Sequence, residues 1–285
     1  MEAKRIDLNE WEHFGEGGSS TGYVNKLNGN IVLKLNNADI PVESTEKEYL
    51  ASKALDGKGI PSPAIYDFVT DGKRFGYTAQ RIKGKMSFAR IISQEPDRIE
   101  ELAGRFAALA LELHRTPVDV SEMADAREEL LGAMGDLSYV PGDVAEAVRK
   151  CLSSLGGEKA FLHGDMNPGN LVTFEGRDRW IGINELTYGD PFLDIASMHI
   201  IANYLPAKAV SRLYHADRRT LGKFFVAFKK AYFGENWNSK EVSGRIENAA
   251  KLKFCAAAAS RPEYVSILVP LVRGQKLRFL LRRGL

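Results

Sequence analysis

Between Phe161 and Val172 the chain reads FLHGDMNPGNLV, a polar loop between two apolar, strand-like runs. His163, Asp165 and Asn170 stand in it as H-x-D-x-x-x-x-N, and Pro168 and Gly169 break the backbone just before the Asn. A carboxylate at Asp165 can accept the proton of an attacking hydroxyl. The amide oxygen of Asn170 can be offered to a magnesium ion. The pair suits transfer of a phosphoryl group, where positioning and charge stabilisation do most of the work. Three fixed residue types recur by chance in roughly one chain in thirty of this length, so other elements have to supply the remaining parts. His163 reads as a hydrogen-bonding brace of the loop.

Phosphoryl transfer needs a side-chain-poor cover over the donor phosphates, a lysine on a strand, and a helix glutamate to hold that lysine. Gly15, Gly17, Gly18, Ser19 and Ser20 lie in GEGGSSTGY, a loop whose backbone N–H groups can approach phosphate oxygens closely. Lys34 sits in NIVLKLN, where period-two geometry puts Val32 and Lys34 on one face. That face could press a methyl group on an adenine and aim an ammonium at phosphate. An unpaired buried ammonium is costly, so Glu48 or Glu46 should reach it. Glu48 is favoured, lying seven residues before Leu55 and so on nearly the same helix face. Gln80-Arg81-Ile82 would form a hinge whose backbone meets the adenine edge, with Gln80 and Ile82 as contacts.

The elements that must hold these residues can be read in outline. Asn28-Gly29 between Tyr23–Leu27 and Ile31–Leu35 is a preferred two-residue hairpin turn. Val42–Leu55 reads as a helix with Tyr49, Leu50 and Leu55 inward. A second hairpin joins Ala64–Thr70 to Lys73–Ile82 through Asp71-Gly72. From Gly84 onward the pattern is helical. Asp97–His114 has Asp97 and Glu100 spaced as a capping box and apolar residues at Ile99, Leu102, Phe106, Leu109 and Leu113. Weaker helices fall near Ser121–Met134 and Gly142–Ser154. Strands follow at Leu171–Phe174 and Arg179–Ile183, then helices over Asp217–Tyr232 and from Asn238 with Glu241 in capping position. The fold class is α+β with two lobes: a small β-rich lobe over 1–83 and a large, mainly α-helical lobe over 84–285.

The residues quoted carry a resemblance. GEGGSSTGY, IVLKL, Glu48, GIPSP, LALELHRTP, HGDMNPGN and GDPFLDIA, spanning Gly15 to Ala196, resemble the aminoglycoside phosphotransferase and choline kinase family, the small-molecule branch of the protein-kinase-like fold. The loop has the spacing of the kinase catalytic loop, with Gly164 where protein kinases carry Arg. HGD and the trailing GDPFLDIA favour this branch, and a protein kinase is disfavoured by the lack of HRD and A-P-E. The resemblance implies ATP as donor, magnesium as cofactor, and an alcohol on a small metabolite or antibiotic as acceptor. It implies Asp165 as catalytic base, Asn170 as a metal ligand, Lys34 on the α/β-phosphates and Glu48 orienting it. It also implies a packing role for His114 and a loop-bracing role for Asp194, with Asp190 in the same scaffold.

One expected part is missing. The family carries a second metal-binding Asp about twelve residues ahead of the final Asp of GDPFLDIA, and counting back from Asp194 lands on Gly182. Asn184 or Glu185 could substitute, but Asn184 is one strand step, ~6.6 Å, further along. Otherwise Gly182 leaves either a kinase scaffold with impaired transfer or a catalytically inactive, pseudokinase-like nucleotide-binding protein. Retention of Lys34, Glu48, Asp165 and Asn170 favours the kinase scaffold.

Composition bounds the setting. The apolar runs are shorter than the ~20 residues of a membrane span, and the N-terminus lacks the apolar core of a signal peptide, so the expected location is the cytoplasm. Cys151 and Cys255 lack metal-ligand spacing and read as reduced thiols in or near the core. Residues 186–285 hold seventeen Lys/Arg against seven Asp/Glu, a balance of +10 that leaves −8 for residues 1–185 in a chain of net +2. A basic second half, ending RGQKLRFLLRRGL, weighs against a polycationic acceptor and towards a neutral or anionic one. No interleaved aromatic pattern supports nucleic-acid binding.

Overall fold

The computed structural model describes residues 1–16, 20–84, 86–183 and 186–274. In chain order its elements begin with β1 (Lys4–Arg5), β2 (Trp11–Glu16), β3 (Ser20–Asn25), β4 (Ile31–Asn36), α1 (Val42–Gly57), β5 (Ile65–Thr70), β6 (Phe75–Gln80) and β7 (Met86–Ser87). Then come α2 (Phe88–Gln94), α3 (Ile99–His114), β8 (Ala124–Asp125), α4 (Ala126–Met134), α5 (Gly142–Ser153), β9 (Ala160–Leu162), β10 (Leu171–Phe174), β11 (Arg177–Trp180) and β12 (Thr187–Gly189). The remainder is helical: α6 (Phe192–Asn203), α7 (Ala207–Tyr214), α8 (Arg218–Phe233), α9 (Lys240–Ser260) and α10 (Val265–Val272). Two units result, Met1–Met86 with Leu171–Glu185, and Ser87–Asn170 with Leu186–Leu285. No helix among the described residues is long and apolar enough to cross a membrane.

The first unit is a six-stranded sheet in the order β1-β5-β6-β4-β3-β2, antiparallel except between β1 and β5. Gly72 takes φ +94 between β5 and β6, but the two-residue turn expected at Asn28-Gly29 does not form: residues 26–30 join β3 to β4, neither Asn28 nor Gly29 takes a positive φ, and the Asn28 carbonyl accepts from the Ile31 amide at 3.0 Å. Gly15, Ser20, Thr21 and Gly22 lie in the strands β2 and β3, with Gly15 opposite Gly22, and are not loop residues as the sequence suggests. Alternation splits β4 between two faces. Leu33 and Leu35 pack with Trp11 and Val69 on one face. Val32 lies on the other, with Tyr77, Ala79 and Phe68, against Tyr49 of α1. Within α1 the buried positions are Thr45, Glu48, Tyr49, Ala51, Ser52 and Leu55, whereas Leu50 is exposed. The expectation that Leu50 faces inward fails because the inward stripe is partly polar.

The β10–β11 hairpin turns through Glu175 (φ 49) and Gly176 (φ 72), the double positive-φ geometry of a tight hairpin. Strand β11 stops at Trp180 and not at Ile183, and Gly182 takes φ +78 beyond its end.

In the second unit α3 packs along α8, with Phe106 edge-on to Phe224 and Phe228 at ring-centroid distances of 5.5 and 5.6 Å. Burying such a ring contributes about 1.5–3 kcal/mol. Helix α3 starts at Ile99 after a single 3-10 turn, and its Arg98 cap makes no side-chain hydrogen bond, so the Asp97/Glu100 capping box does not form. Helix α9 is capped by Ser239, whose hydroxyl accepts from the Val242 amide, one residue later than the Asn238 start expected. Met134, Val144, Val148, Leu252, Leu268 and the two free cysteines Cys151 and Cys255 share one core. The short strand β9 pairs antiparallel with β12 and delivers the chain, fully buried, to His163.

Candidate active site

Strand β4 places Lys34 between β3 and β6, an interior position of the sheet. Its ammonium pairs with Glu48 of α1, while Glu46 pairs with the N-terminal amine at 2.6 Å. Glu48 is held from three sides, because the Tyr77 hydroxyl donates to it at 2.9 Å and the Asn36 amide at 3.3 Å. Burial first, then the Glu48 charge and hydrogen bond, push the Tyr77 hydroxyl far above its usual pKa, so it stays a donor. Within the polar inward stripe of α1, Glu48 holds this cation, while Thr45 accepts from the Asn36 side chain at 3.1 Å.

Lys34 lines a cavity of about 500 Å³ within the first unit, together with Val32, Gln80, Arg81, Ile82 and Gly182. Of the residues expected to hold a nucleotide, Val32, Lys34, Gln80 and Ile82 therefore come together. Gly15 and Ser20 do not line this cavity, and Phe14 does instead. Gly17, Gly18 and Ser19 lie outside the described residues, as do Asn184 and Glu185. The amides of Gln80 and Arg81 are already used, donating to Ala64 and Asn30 at 2.8 and 2.7 Å. Ser52 of α1 donates to the Ile183 carbonyl at 3.3 Å and so holds the segment that contains Gly182.

The second unit carries the polar loop. Asp194 is fully buried at the start of α6 and accepts from the His163 amide at 2.7 Å and the Gly164 amide at 2.8 Å. His114 Nε2 lies 3.2 Å from the same carboxylate, and its Nδ1 lies 2.7 Å from the Tyr232 hydroxyl. His114 is thus a polar link and more than packing. Burial alone would raise the Asp194 carboxyl, but the His114 hydrogen bond and charge, with His163 and Lys253, hold it below its usual range. Asp190 anchors elsewhere, on the Gly156 and Phe192 amides and on Arg245.

Asp165 is exposed, and its amide lies 3.3 Å from His163 Nδ1, the brace expected of that histidine. Asn170 donates from Nδ2 to the Asp165 carbonyl at 2.8 Å and to its carboxylate at 3.0 Å. Asp165 and Asn170 therefore form one hydrogen-bonded unit. Gly169 packs closely, since a Cβ there would sit 2.8 Å from Asn167 Oδ1, which accepts from the Gly169 amide at 2.8 Å.

Sequence reasoning missed Lys253 and Tyr214. Lys253 of α9 donates to the Gly164 carbonyl at 2.8 Å, the Leu193 carbonyl at 3.2 Å and the Ser197 hydroxyl at 2.6 Å. Burial pulls its pKa down, while the charges of Asp194 and Asp165 act the other way. Gly164, at φ +83, is pinned through its N–H by Asp194 and through its C=O by Lys253. Replacing Lys253 by Met should raise amide hydrogen exchange at Gly164 and Asp165 while α3 and α8 stay protected. Unchanged loop exchange would refute the clamp. Tyr214 lies beside Gly169, and burial, then the Asp165 charge, raise its hydroxyl pKa. No local pattern marks either residue, since both reach the loop from distant helices.

Asn170 is the one expected magnesium ligand that is present. Gly182 has no donor, and no group of three His, Cys, Asp or Glu side chains suited to a metal occurs among the described residues. Asn170 supplies only a neutral amide oxygen, and a magnesium site normally draws on one or two carboxylates plus substrate phosphates.

A β-sheet unit with a strand lysine held by a helix glutamate, and a helical unit with a braced H-x-D-x-x-x-x-N loop, define a protein-kinase-like α+β fold. The chain belongs to the phosphotransferase enzyme family (APH), whose family model matches residues 10–233. Among solved structures, it is similar to the aminoglycoside phosphotransferase APH(2'')-Ib with ADP bound, at 16% identity and a TM-score of 0.64, covering 96% of this chain and 95% of that one. A choline/ethanolamine kinase family protein from Mesorhizobium loti matches at 15% identity and TM-score 0.55, covering 96% and 88%. The streptomycin–ATP–APH(2'')-IIa ternary complex matches at 16% and 0.61, covering 94% and 92%. No curated protein matches the sequence. At these identities the structural likeness carries the fold.

Proposed function

We propose that the protein binds ATP and transfers its γ-phosphoryl group to a hydroxyl of a small molecule. The observation that carries this reading is Lys34, paired with Glu48, in the wall of a cavity of about 500 Å³. Lys34 would hold the α/β-phosphates, Val32 and Ile82 would face the base, and Gly17, Gly18 and Ser19 would cover the phosphates. Because Gln80 and Arg81 have committed their amides, donation to the adenine edge would fall to Ile82. In the transfer a bond forms between the acceptor oxygen and the γ-phosphorus, the bond from that phosphorus to the β-bridging oxygen breaks, the hydroxyl proton passes to Asp165, and ADP leaves. Asn170 would orient Asp165 and offer its carbonyl to magnesium. No step is routed through the ion, because the residues present do not complete its site. Residues 1–83 would serve as nucleotide lobe and 84–285 as catalytic and acceptor lobe, in a cytoplasmic enzyme.

Gly182 favours a second reading. A chain without that carboxylate binds nucleotide and transfers slowly, or only binds, as a pseudokinase-like protein does. ATP binding is common to both readings and is tested first. At 100 times its Kd, ATP should stabilise the fold by about 2.7 kcal/mol, a rise of several degrees in Tm. Lys34→Met, compared with its own unliganded melting point, should lose most of that rise. A full shift in Lys34→Met would remove Lys34 from the site, and no shift in the unsubstituted chain would remove the function.

A further inference from the structure

A second cavity, of about 290 Å³, lies wholly within the second unit against the catalytic loop. Its walls are mostly aliphatic: Ala126, Leu130 and Ala133 of α4 face Leu162 of β9 and Leu193 of α6. Gly164 forms part of the wall, and the next Cα, that of Asp165, is about 3.8 Å along the chain. The charged residues on the wall are Glu129, Asp194 and Lys253. Both Asp194 oxygens already serve the loop amides, and the Lys253 ammonium has spent its three donors on the protein. Lys253 therefore adds positive potential without offering a hydrogen bond. Glu129, exposed on α4, is one carboxylate where a polycation would need several.

We propose that this cavity holds the body of the acceptor, and that the acceptor is a compact, hydrocarbon-rich alcohol carrying at most one positive charge. The proposal rests on the phosphotransferase reading for the role of Asp165, but the cavity and its chemistry stand apart from it. The volume lies at the lower end for small-ligand pockets, which begin at about 300 Å³. An apolar wall rewards buried hydrocarbon and penalises ammonium groups that find no partner. This selectivity would differ from that of the structural neighbours solved with streptomycin or kanamycin.

The test uses the full chain, with 2-phenylethanol and cyclohexylmethanol as probes and kanamycin as the polycation. Binding is followed by ligand-observed NMR, and ester formation with ATP by phosphorus NMR, in the unsubstituted chain and in Gly182→Asp. At least one alcohol should bind, and Ala133→Trp should weaken it by about tenfold or more by filling the cavity. Position 133 is exposed on α4, so that variant should fold, and Ala126→Leu gives a second, smaller filling. A phosphate ester of the bound alcohol should form in at least one of the two backgrounds. The proposal is overturned if only kanamycin binds, if no probe binds, if Ala133→Trp leaves alcohol binding unchanged, or if bound alcohol is never phosphorylated although ATP binds. Alcohol binding without any ATP-induced rise in Tm would instead sink the phosphotransferase reading and leave the cavity's preference standing.

Discussion

Gly182→Asp should transfer phosphate faster than the unsubstituted chain by about a hundredfold or more, the scale on which one well-placed electrostatic group acts in a closed site. Gly182 lines the same cavity as Lys34, so a carboxylate there would enter the proposed nucleotide site. Its φ of +78 is one that most side chains resist. Asp is among the few that tolerate it, at a cost of roughly 1–2 kcal/mol. The variant should therefore fold with a slightly lower melting point. Its ATP affinity should move in opposite directions with the medium. Without magnesium, the new carboxylate repels the donor phosphates and affinity falls. With magnesium, the carboxylate at 182 would add a ligand for the ion beside the donor phosphates, and affinity should rise. Equal ATP affinity in both media and unchanged turnover would show that position 182 does not face the phosphates. A gain in affinity with magnesium and no turnover with any acceptor would favour the binding-protein reading.

The second large effect is on stability. Asp194→Ala leaves the His163 and Gly164 amides without their acceptor and His114 without its partner. Leaving each of these buried donors unsatisfied costs about 1–3 kcal/mol. For a chain of this size their sum is a fall in Tm on the order of ten degrees. Asp194→Asn should be nearly as harmful, because its NH2 would point a donor at an amide that is also a donor. The pH dependence follows from the lowered carboxyl of Asp194. Its folded pKa lies below the ordinary 3.8, so in the acid window between the two values the unfolded chain binds more protons. The contribution is complete above 3.8 and is lost as the pH falls through the folded value. Acid unfolding of the Asn variant should lack that component. A melting point within two or three degrees of the parent, about 1 kcal/mol, would contradict this account.

Much of the fold is legible because its causes are local. Asp71-Gly72 announces its turn through tolerance of positive φ, and β4 shows its two faces through alternation, whereas Asn28-Gly29 marks a connection that is longer than two residues and takes no positive φ. Helix α1 is the instructive partial failure. Its extent is plain, yet Leu50 points outward, because the inward positions Thr45, Glu48 and Ser52 are polar. Hydropathy reads such a stripe as surface, whereas here it pairs with Lys34 and holds the Ile183 carbonyl. The capping box at Asp97 fails for a related reason: a 3-10 turn at Pro96–Arg98 competes for the same residues.

Residue type and spacing by themselves picked out the residues on which the proposed chemistry rests: a strand lysine, a helix glutamate, and an aspartate with an asparagine five residues on. Those signals survive in one dimension because each depends on the repeat of a single strand, helix or loop. Tertiary structure alone decided what surrounds that chemistry. Lys253 meets Gly164 across 89 residues of sequence, and α4 contributes aliphatic side chains to a cavity beside the loop. Such neighbours are chosen by helix packing, which depends on the shape of whole faces, and no short stretch of sequence encodes it.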